Sequence, residues 1–167
     1  MRRGVGGNTL YCLSYELIPV KINGSEYQLP QSLSILDACV RAGVRIPTLC
    51  YLEDVAKNAS CGVCLVEVKG ARTLVRSCST CVHEGIEIST SSPRVREARK
   101  TNVELLLANH PKDCLSCLRN QSCELQALAA DLGVQRERFI RTKQLEECDT
   151  TSPSLVRDPN KCIEPLE

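Results

Sequence analysis

The chain has no tryptophan, one phenylalanine (Phe139) and one methionine, and aromatic residues fill only 3% of its 167 positions. A core without large rings buries less area per residue, so something besides packing must help hold the fold. Charge of one sign is not in surplus either. Twenty-one basic residues against 20 acidic ones leave a net charge of +1, which gives no electrostatic case for a nucleic-acid partner. No apolar run approaches the roughly 20 residues that span a bilayer, so no membrane span is expected. Met1-Arg2-Arg3-Gly4 is basic, but no apolar stretch of secretory-leader length follows it. A cytoplasmic location is the default expectation. The scarcity of acidic residues before Glu16 is the one feature shared with an organelle presequence, and would fit an organelle of an anaerobic eukaryote.

What the chain has in abundance is cysteine, twelve in all. Without an export signal, and in a reducing compartment, such a number points to metal rather than to a disulfide scaffold. Thiolates are soft ligands suited to iron–sulfur clusters or zinc. Cys50, Cys61, Cys64 and Cys78 stand at C-x10-C-x2-C-x13-C. The Cys61–Cys64 step is tight enough to put two thiolates on one metal. Downstream the spacing His110-x3-Cys114-x2-Cys117-x5-Cys123 places four soft or borderline ligands within fourteen residues. A histidine after a helix is ordinarily a surface residue, but three cysteines at metal spacing follow this one at once.

The periodicity gives a scaffold for both motifs. Leu17–Ile22 reads as a strand, Asn23-Gly24 as a tight turn, and Glu26–Leu29 as the return strand ended by Pro30. Ser34 caps a helix whose third residue is Asp37, with Ile35, Ala38, Cys39 and Ala42 on one face and Gly43 at its end. The stretch from Pro47 to Ser60 shows no regular pattern. Cys64–Val68 and Arg72–Val75 read as partner strands that return Cys78 toward Cys61 and Cys64. Ile86–Thr90 reads as a last edge strand. Ser92-Pro93 opens a helix with Val95, Ala98, Leu105 and Leu106 on its apolar side. Arg94, Arg96, Arg99 and Lys100 form a solvated face. Pro111 stops this helix at His110, and a short helix from Cys123 ends near Gly133.

The first motif, with Ala42–Leu49 leading in and Leu65–Gly70 leading out, resembles the [2Fe–2S] ferredoxin-type domain at the amino end of iron-only hydrogenases and of the large iron–sulfur subunit of NADH dehydrogenases. The second resembles the His(Cys)3-ligated [4Fe–4S] domain that follows it in both families. The resemblance runs from about Ile18 to Lys161. It implies an α+β chain: a β-grasp [2Fe–2S] domain over 17–91, then a small, mainly helical [4Fe–4S] domain over 92–140. Residues 1–16 would be a loose lead. Within the tail, residues 141–167, Thr151–Cys162 resembles the entrance to a further ferredoxin-like domain, of whose cysteine run only Cys162 is present. By the same matching Cys50, Cys61, Cys64 and Cys78 would hold [2Fe–2S], and His110, Cys114, Cys117 and Cys123 would hold [4Fe–4S]. The implied role is one-electron transfer, with no catalytic site in this chain. The implied partners are a hydrogenase subunit, an NADH-oxidising flavin subunit, or ferredoxin or a similar carrier. Two departures stand out: family members usually carry a glycine within the stretch occupied here by Asn58-Ala59-Ser60, and Cys81 is an extra cysteine where no ligand is expected.

A rival reading is a zinc-bound interaction module using Cys61, Cys64, Cys78 and Cys81, whose spacing is that of a zinc ribbon. It leaves Cys50 and the second motif unexplained. A thiol redox sensor is weaker still, because no βαβ context surrounds the C-x2-C steps. Cys39 reads as a small core residue and Cys12 as an incidental surface one. Cys148 lies among Glu146, Glu147 and Asp149, a setting that argues against a reactive role. His83 reads as a solvated turn residue.

Overall fold

The computed structural model describes residues 16–53, 55–136 and 138–162; Cys12 and the rest of the expected amino-terminal lead before Glu16 lie outside these. Strand β1 (Leu17–Ile22) turns through Asn23-Gly24 into β2 (Ser25–Pro30), pairing antiparallel from Leu17↔Pro30 to Ile22↔Ser25. Asn23 and Gly24 both hold positive φ, 50° and 90°, as the tight hairpin requires. The Asn23 side chain also accepts from the Thr90 amide at 2.9 Å, fastening the hairpin to the end of the sheet.

Helix α1 (Ile35–Arg41) starts where Ser34 Oγ accepts from the Asp37 amide at 3.1 Å, the cap its sequence predicts. Its buried residues Ile35, Leu36, Ala38 and Cys39 share one core with Ile18, Val20, Ile22, Val66 and Ile88. That core is aliphatic, as the ring-poor composition requires, and Phe139 is 36% exposed.

The loop expected to lack regular structure contains a small two-stranded ladder, β3 (Tyr51–Leu52) with β4 (Ala56–Lys57). Each strand is two residues long, too short for any period to register in the sequence. Strands β5 (Leu65–Val68) and β6 (Val75–Arg76) pair antiparallel, Leu65↔Arg76 and Val66↔Val75. Strand β7 (Glu87–Ser89) is not the edge expected of it. The five-stranded order is β2-β1-β7-β5-β6, so β7 is central, parallel to β1 and antiparallel to β5. Its Ile88 is 1% exposed, which a central position explains and an edge does not. The mixed sheet with its helices is the α+β arrangement expected.

Helix α2 (Pro93–Asn109) begins with Ser92 Oγ accepting from the Val95 amide at 3.3 Å, and ends with His110 as its C-cap. The buried face differs from the expected one. It is Val95, Arg99, Val103, Glu104 and Ala108, while Leu105 is 42% exposed. The stripe follows the i, i+4 rows that stack on one side of a helix, and Arg99 belongs to it rather than to the solvated face. Helix α3 (Glu124–Asp131) ends at Leu132, before Gly133 at φ 64°. A second core joins Leu49, Cys61 and Val63 of the first motif to Val103 of α2 and to Leu125 and Leu128 of α3. This packing crosses the expected boundary at 91/92.

Residues 141–162 fold back toward the end of α2. Asn109 Oδ1 accepts from the amides of Thr142 and Lys143, each at 3.1 Å. Asn160, 7% exposed, exchanges hydrogen bonds with the Glu146 backbone at 2.8 and 3.0 Å.

Candidate metal centres

The sheet and α1 bring the first motif together. Turning β5 back into β6 lets the Ser77 amide donate to the Cys64 carbonyl at 3.1 Å, and Cys64 Sγ then lies 3.3 Å from Cys78 Sγ. On the other side the Cys61 amide donates to Cys50 Sγ at 3.5 Å. The sulfurs thus pair across the motif, Cys50 with Cys61 and Cys64 with Cys78, rather than within the Cys61–Cys64 step. The two pairs are joined through the Cys61–Cys64 step, three residues apart in the chain. Within the buried pair the contact with Cys78 draws the Cys64 thiol down to about 6, while the same contact and burial raise Cys78. Burial pushes Cys50 up, but donors from Cys61 and Ser60 outweigh it and bring the thiol below its ordinary value.

Among the described residues, no three or more His, Cys, Asp or Glu side chains converge on a point where a single metal ion would sit. Two pairs of thiols are instead what a two-iron cluster takes, two ligands to each iron. The zinc-ribbon set fares differently. The thiol that stands with Cys61, Cys64 and Cys78 is that of Cys50, while Cys81 lies in a backbone bridge to Ser34.

Two residues of α2 fasten this loop. Asn102 Nδ2 donates to the Gly62 carbonyl at 2.7 Å. Gly62 holds φ 64°, and a Cβ there would lie 2.5 Å from Asn102 Nδ2. Arg99 donates from Nε and Nη2 to the Leu65 carbonyl at 3.1 and 2.6 Å. Sequence reasoning missed both contacts, although the Val95-Arg99-Val103 spacing was the available signal that Arg99 faces inward. At the glycine departure, Ala59 adopts φ 54°, the left-handed conformation that a glycine would take without strain.

The second motif gathers around one cavity of about 310 Å³, lined by His110, Cys114, Cys117 and Cys123 together with Asp113 and Leu125. Pro111 ends α2 and releases His110 into this wall, a 3-10 turn over Cys114–Ser116 presents Cys114, and Cys123 caps α3. His110 Nδ1 is buried with no hydrogen-bond partner. Burial lowers the His110 pKa against the opposing pull of Asp113, so the imidazole is neutral, as a metal-binding imidazole must be. An orphaned ring nitrogen and three thiols around one cavity fit a four-iron cage, which takes its ligands at separate corners. Lys161 pairs with Asp113 at 3.4 Å, holding the tail to the same wall. Of the other cysteines, Cys39 is fully buried and Cys148 exposed. His83 lies exposed at the turn before β7.

Comparisons with known proteins find iron–sulfur domains over both regions. Residues 16–93 match the 2Fe-2S iron-sulfur cluster binding domain. Residues 99–138 match the NADH-ubiquinone oxidoreductase-G iron-sulfur binding region. The chain is 41% identical over 152 residues to the NADP-reducing hydrogenase subunit HndD of Solidesulfovibrio fructosivorans, covering 88% of this chain and 26% of that protein. It is 33% identical to the NADPH-Fe(3+) oxidoreductase subunit alpha of Geobacter sulfurreducens (88% and 17%). To an NADH-quinone oxidoreductase subunit of Rhizobium meliloti it is 34% identical (89% and 18%). The chain therefore spans about a quarter or less of these relatives. A solved NAD+-reducing [NiFe]-hydrogenase superposes with a TM-score of 0.79 at 28% identity, covering 87% of this chain and 62% of that one. With its two matched regions in this order, the chain belongs to the iron–sulfur family in which a [2Fe–2S] ferredoxin-type domain precedes the [4Fe–4S] region of hydrogenase and NADH dehydrogenase subunits.

Proposed function

We propose that Cys50, Cys61, Cys64 and Cys78 hold the [2Fe–2S] cluster, that His110, Cys114, Cys117 and Cys123 hold the [4Fe–4S] cluster, and that residues 17–91 and 92–140 are the two corresponding units of one electron relay. The observation that carries this reading is the buried, unpartnered His110 Nδ1 on the cavity shared with the three cysteines. Bound there, the clusters supply one-electron exchange.

The chain's own residues do the rest. Helix α2 ties the first site, through Asn102, to the second, through His110. Eight residues separate these two, about 12 Å along the axis at about 1.5 Å per residue. Leu49, Val63, Val103, Leu125 and Leu128 pack between the sites and keep water from the space separating them. A neutral imidazole in place of a thiolate leaves the second site less negative, which raises its potential.

The relay is a subunit or amino-terminal part of a hydrogenase or NADH-linked oxidoreductase, and bond-making chemistry belongs to other parts of that assembly. It exchanges electrons with a hydrogenase subunit, a flavin-bearing NADH-oxidising subunit, or a ferredoxin-like carrier, in the cytoplasm. No helix among the described residues is long and apolar enough to cross a membrane. Protein purified anaerobically should be brown and hold about six irons per chain, the sum of the two cluster types. A colourless protein with stoichiometric zinc would reject the relay.

A further inference from the structure

Arg99 sits on the inward stripe of α2 between Val95 and Val103, and is 6% exposed. Both its hydrogen bonds go to one carbonyl, that of Leu65, the residue directly after Cys64. A guanidinium buried this deeply is ordinarily matched to a carboxylate, because an uncompensated charge in the interior is costly. Among the described residues no Asp or Glu pairs with Arg99. The carbonyl it grips directly follows Cys64, so the negative charge beside Arg99 is that of the proposed cluster site.

We infer that Arg99 is the counter-ion of the amino-terminal cluster and holds its reduction potential up. The inference rests on the proposed assignment of Cys50, Cys61, Cys64 and Cys78 as ligands of [2Fe–2S]. Four thiolates and two sulfides against two ferric ions leave two net negative charges, and taking up one electron from a donor makes three. A fixed cation beside Cys64 therefore attracts the reduced state more than the oxidised one. The two hydrogen bonds to Leu65 are what fix it, since a flexible side chain would otherwise carry the charge toward water. Arg99 is thus a positioning residue that acts on the cluster through charge and makes no bond to iron.

With its guanidinium on the carbonyl that follows Cys64, the charge lies within about 10 Å of the site, and at an effective dielectric of about 20 losing Arg99 should lower the one-electron reduction equilibrium by at least about tenfold, which is about 59 mV. The test is a dithionite titration of the anaerobically purified protein, following the two-iron paramagnetic signal at a temperature where the four-iron signal is broadened. Arg99→Gln should titrate at least about 59 mV below wild type. Arg99→Lys, which keeps the charge but not the fork, should stay near wild type. Arg96→Gln, on the exposed side of the same helix, should not shift. If Arg99→Gln fails to load a cluster, Arg99→Met keeps the packing of the stem and repeats the test.

An unshifted potential in a loaded, charge-free variant overturns the inference. So does a lysine variant that falls as far as glutamine, because Arg99 would then be a clamp and not a counter-ion. A wild-type protein with no two-iron signal would overturn the ligand assignment itself, and this inference with it.

Discussion

Gly62, inside the Cys61–Cys64 step, is the position where a single methyl group tests the docking of the first site on α2. Two separate costs arise on Gly62→Ala. The backbone holds φ 64°, and an alanine in the left-handed region costs about 1–2 kcal/mol, of which about 0.4–1 is returned because alanine has less chain entropy to lose on folding. The new Cβ would also lie 2.5 Å from Asn102 Nδ2. Asn102 must then withdraw from the Gly62 carbonyl, which it contacts at 2.7 Å. Giving up that hydrogen bond with the carbonyl buried costs about 1–2 kcal/mol more. The sum is about 1–3.6 kcal/mol, or a melting temperature lower by about 2–14 °C for a chain of this size. Gly85→Ala supplies the control, since Gly85 has φ 72° with nothing within 4 Å of a Cβ and should show the backbone cost alone, about 1 kcal/mol or less. Adding Asn102→Ala to each glycine variant closes a double-mutant cycle. Asn102→Ala should recover part of the loss in Gly62→Ala and none in Gly85→Ala. Thermal melts of the anaerobic protein, followed by circular dichroism and by the visible band of the clusters, read the wild type and all five variants. Equal losses at Gly62 and Gly85, or an additive cycle, would refute the close approach of helix and loop.

The other two predictions concern the glycine departure and the imidazole. Ala59→Gly should raise the melting temperature by a few degrees, because relief of the left-handed alanine at φ 54° outweighs the added chain entropy by at most about 1 kcal/mol; a lower melting temperature would show that the alanine is not strained. His110→Cys should keep a four-iron cluster and lower its potential, by on the order of 100 mV judging from the span that histidine ligation opens in two-iron centres. An unchanged four-iron potential in a redox titration would remove His110 from the ligand set.

What the sequence made legible was the local part of the structure. Asn23-Gly24, the Ser34 and Ser92 caps and the Pro111 stop each depend on a few neighbouring residues, and each stands where its residues put it. The two proposed ligand sets rest on spacing, which is likewise a property of chain order. What stayed hidden depends on distant partners. β7 lies centrally because β1, more than sixty residues earlier, pairs parallel to it, and nothing inside Ile86–Thr90 encodes that neighbour. The sulfur pairing of Cys50 with Cys61 and of Cys64 with Cys78 follows from the β5–β6 return, not from the spacing of C-x2-C. Arg99 was misplaced because charge was taken as a sign of solvent. Its helical position beside Val95 and Val103 carried the better information, and a buried cation in that stripe needed a reason that only the neighbouring cluster motif supplies.

The same stripe explains why the two ligand sets occur as one unit. Along α2, Arg99 grips the carbonyl after Cys64, Asn102 grips the carbonyl between Cys61 and Cys64, Val103 enters the core shared with Leu125 and Leu128, and His110 closes the helix as a wall of the second cavity. A displacement of the helix would therefore be felt at both sites together. One-electron exchange is aided when the sites stay still as charge moves between them, because each shift of fixed dipoles adds to the energy that must be reorganised. A single helix joined by main-chain hydrogen bonds to one site and by its terminal residue to the other meets that requirement in a chain whose aliphatic core lacks large rings. The clusters in turn supply the cross-links that this core needs, since metal binding adds directly to folding free energy. Stability and electron transfer thus draw on the same few contacts of α2.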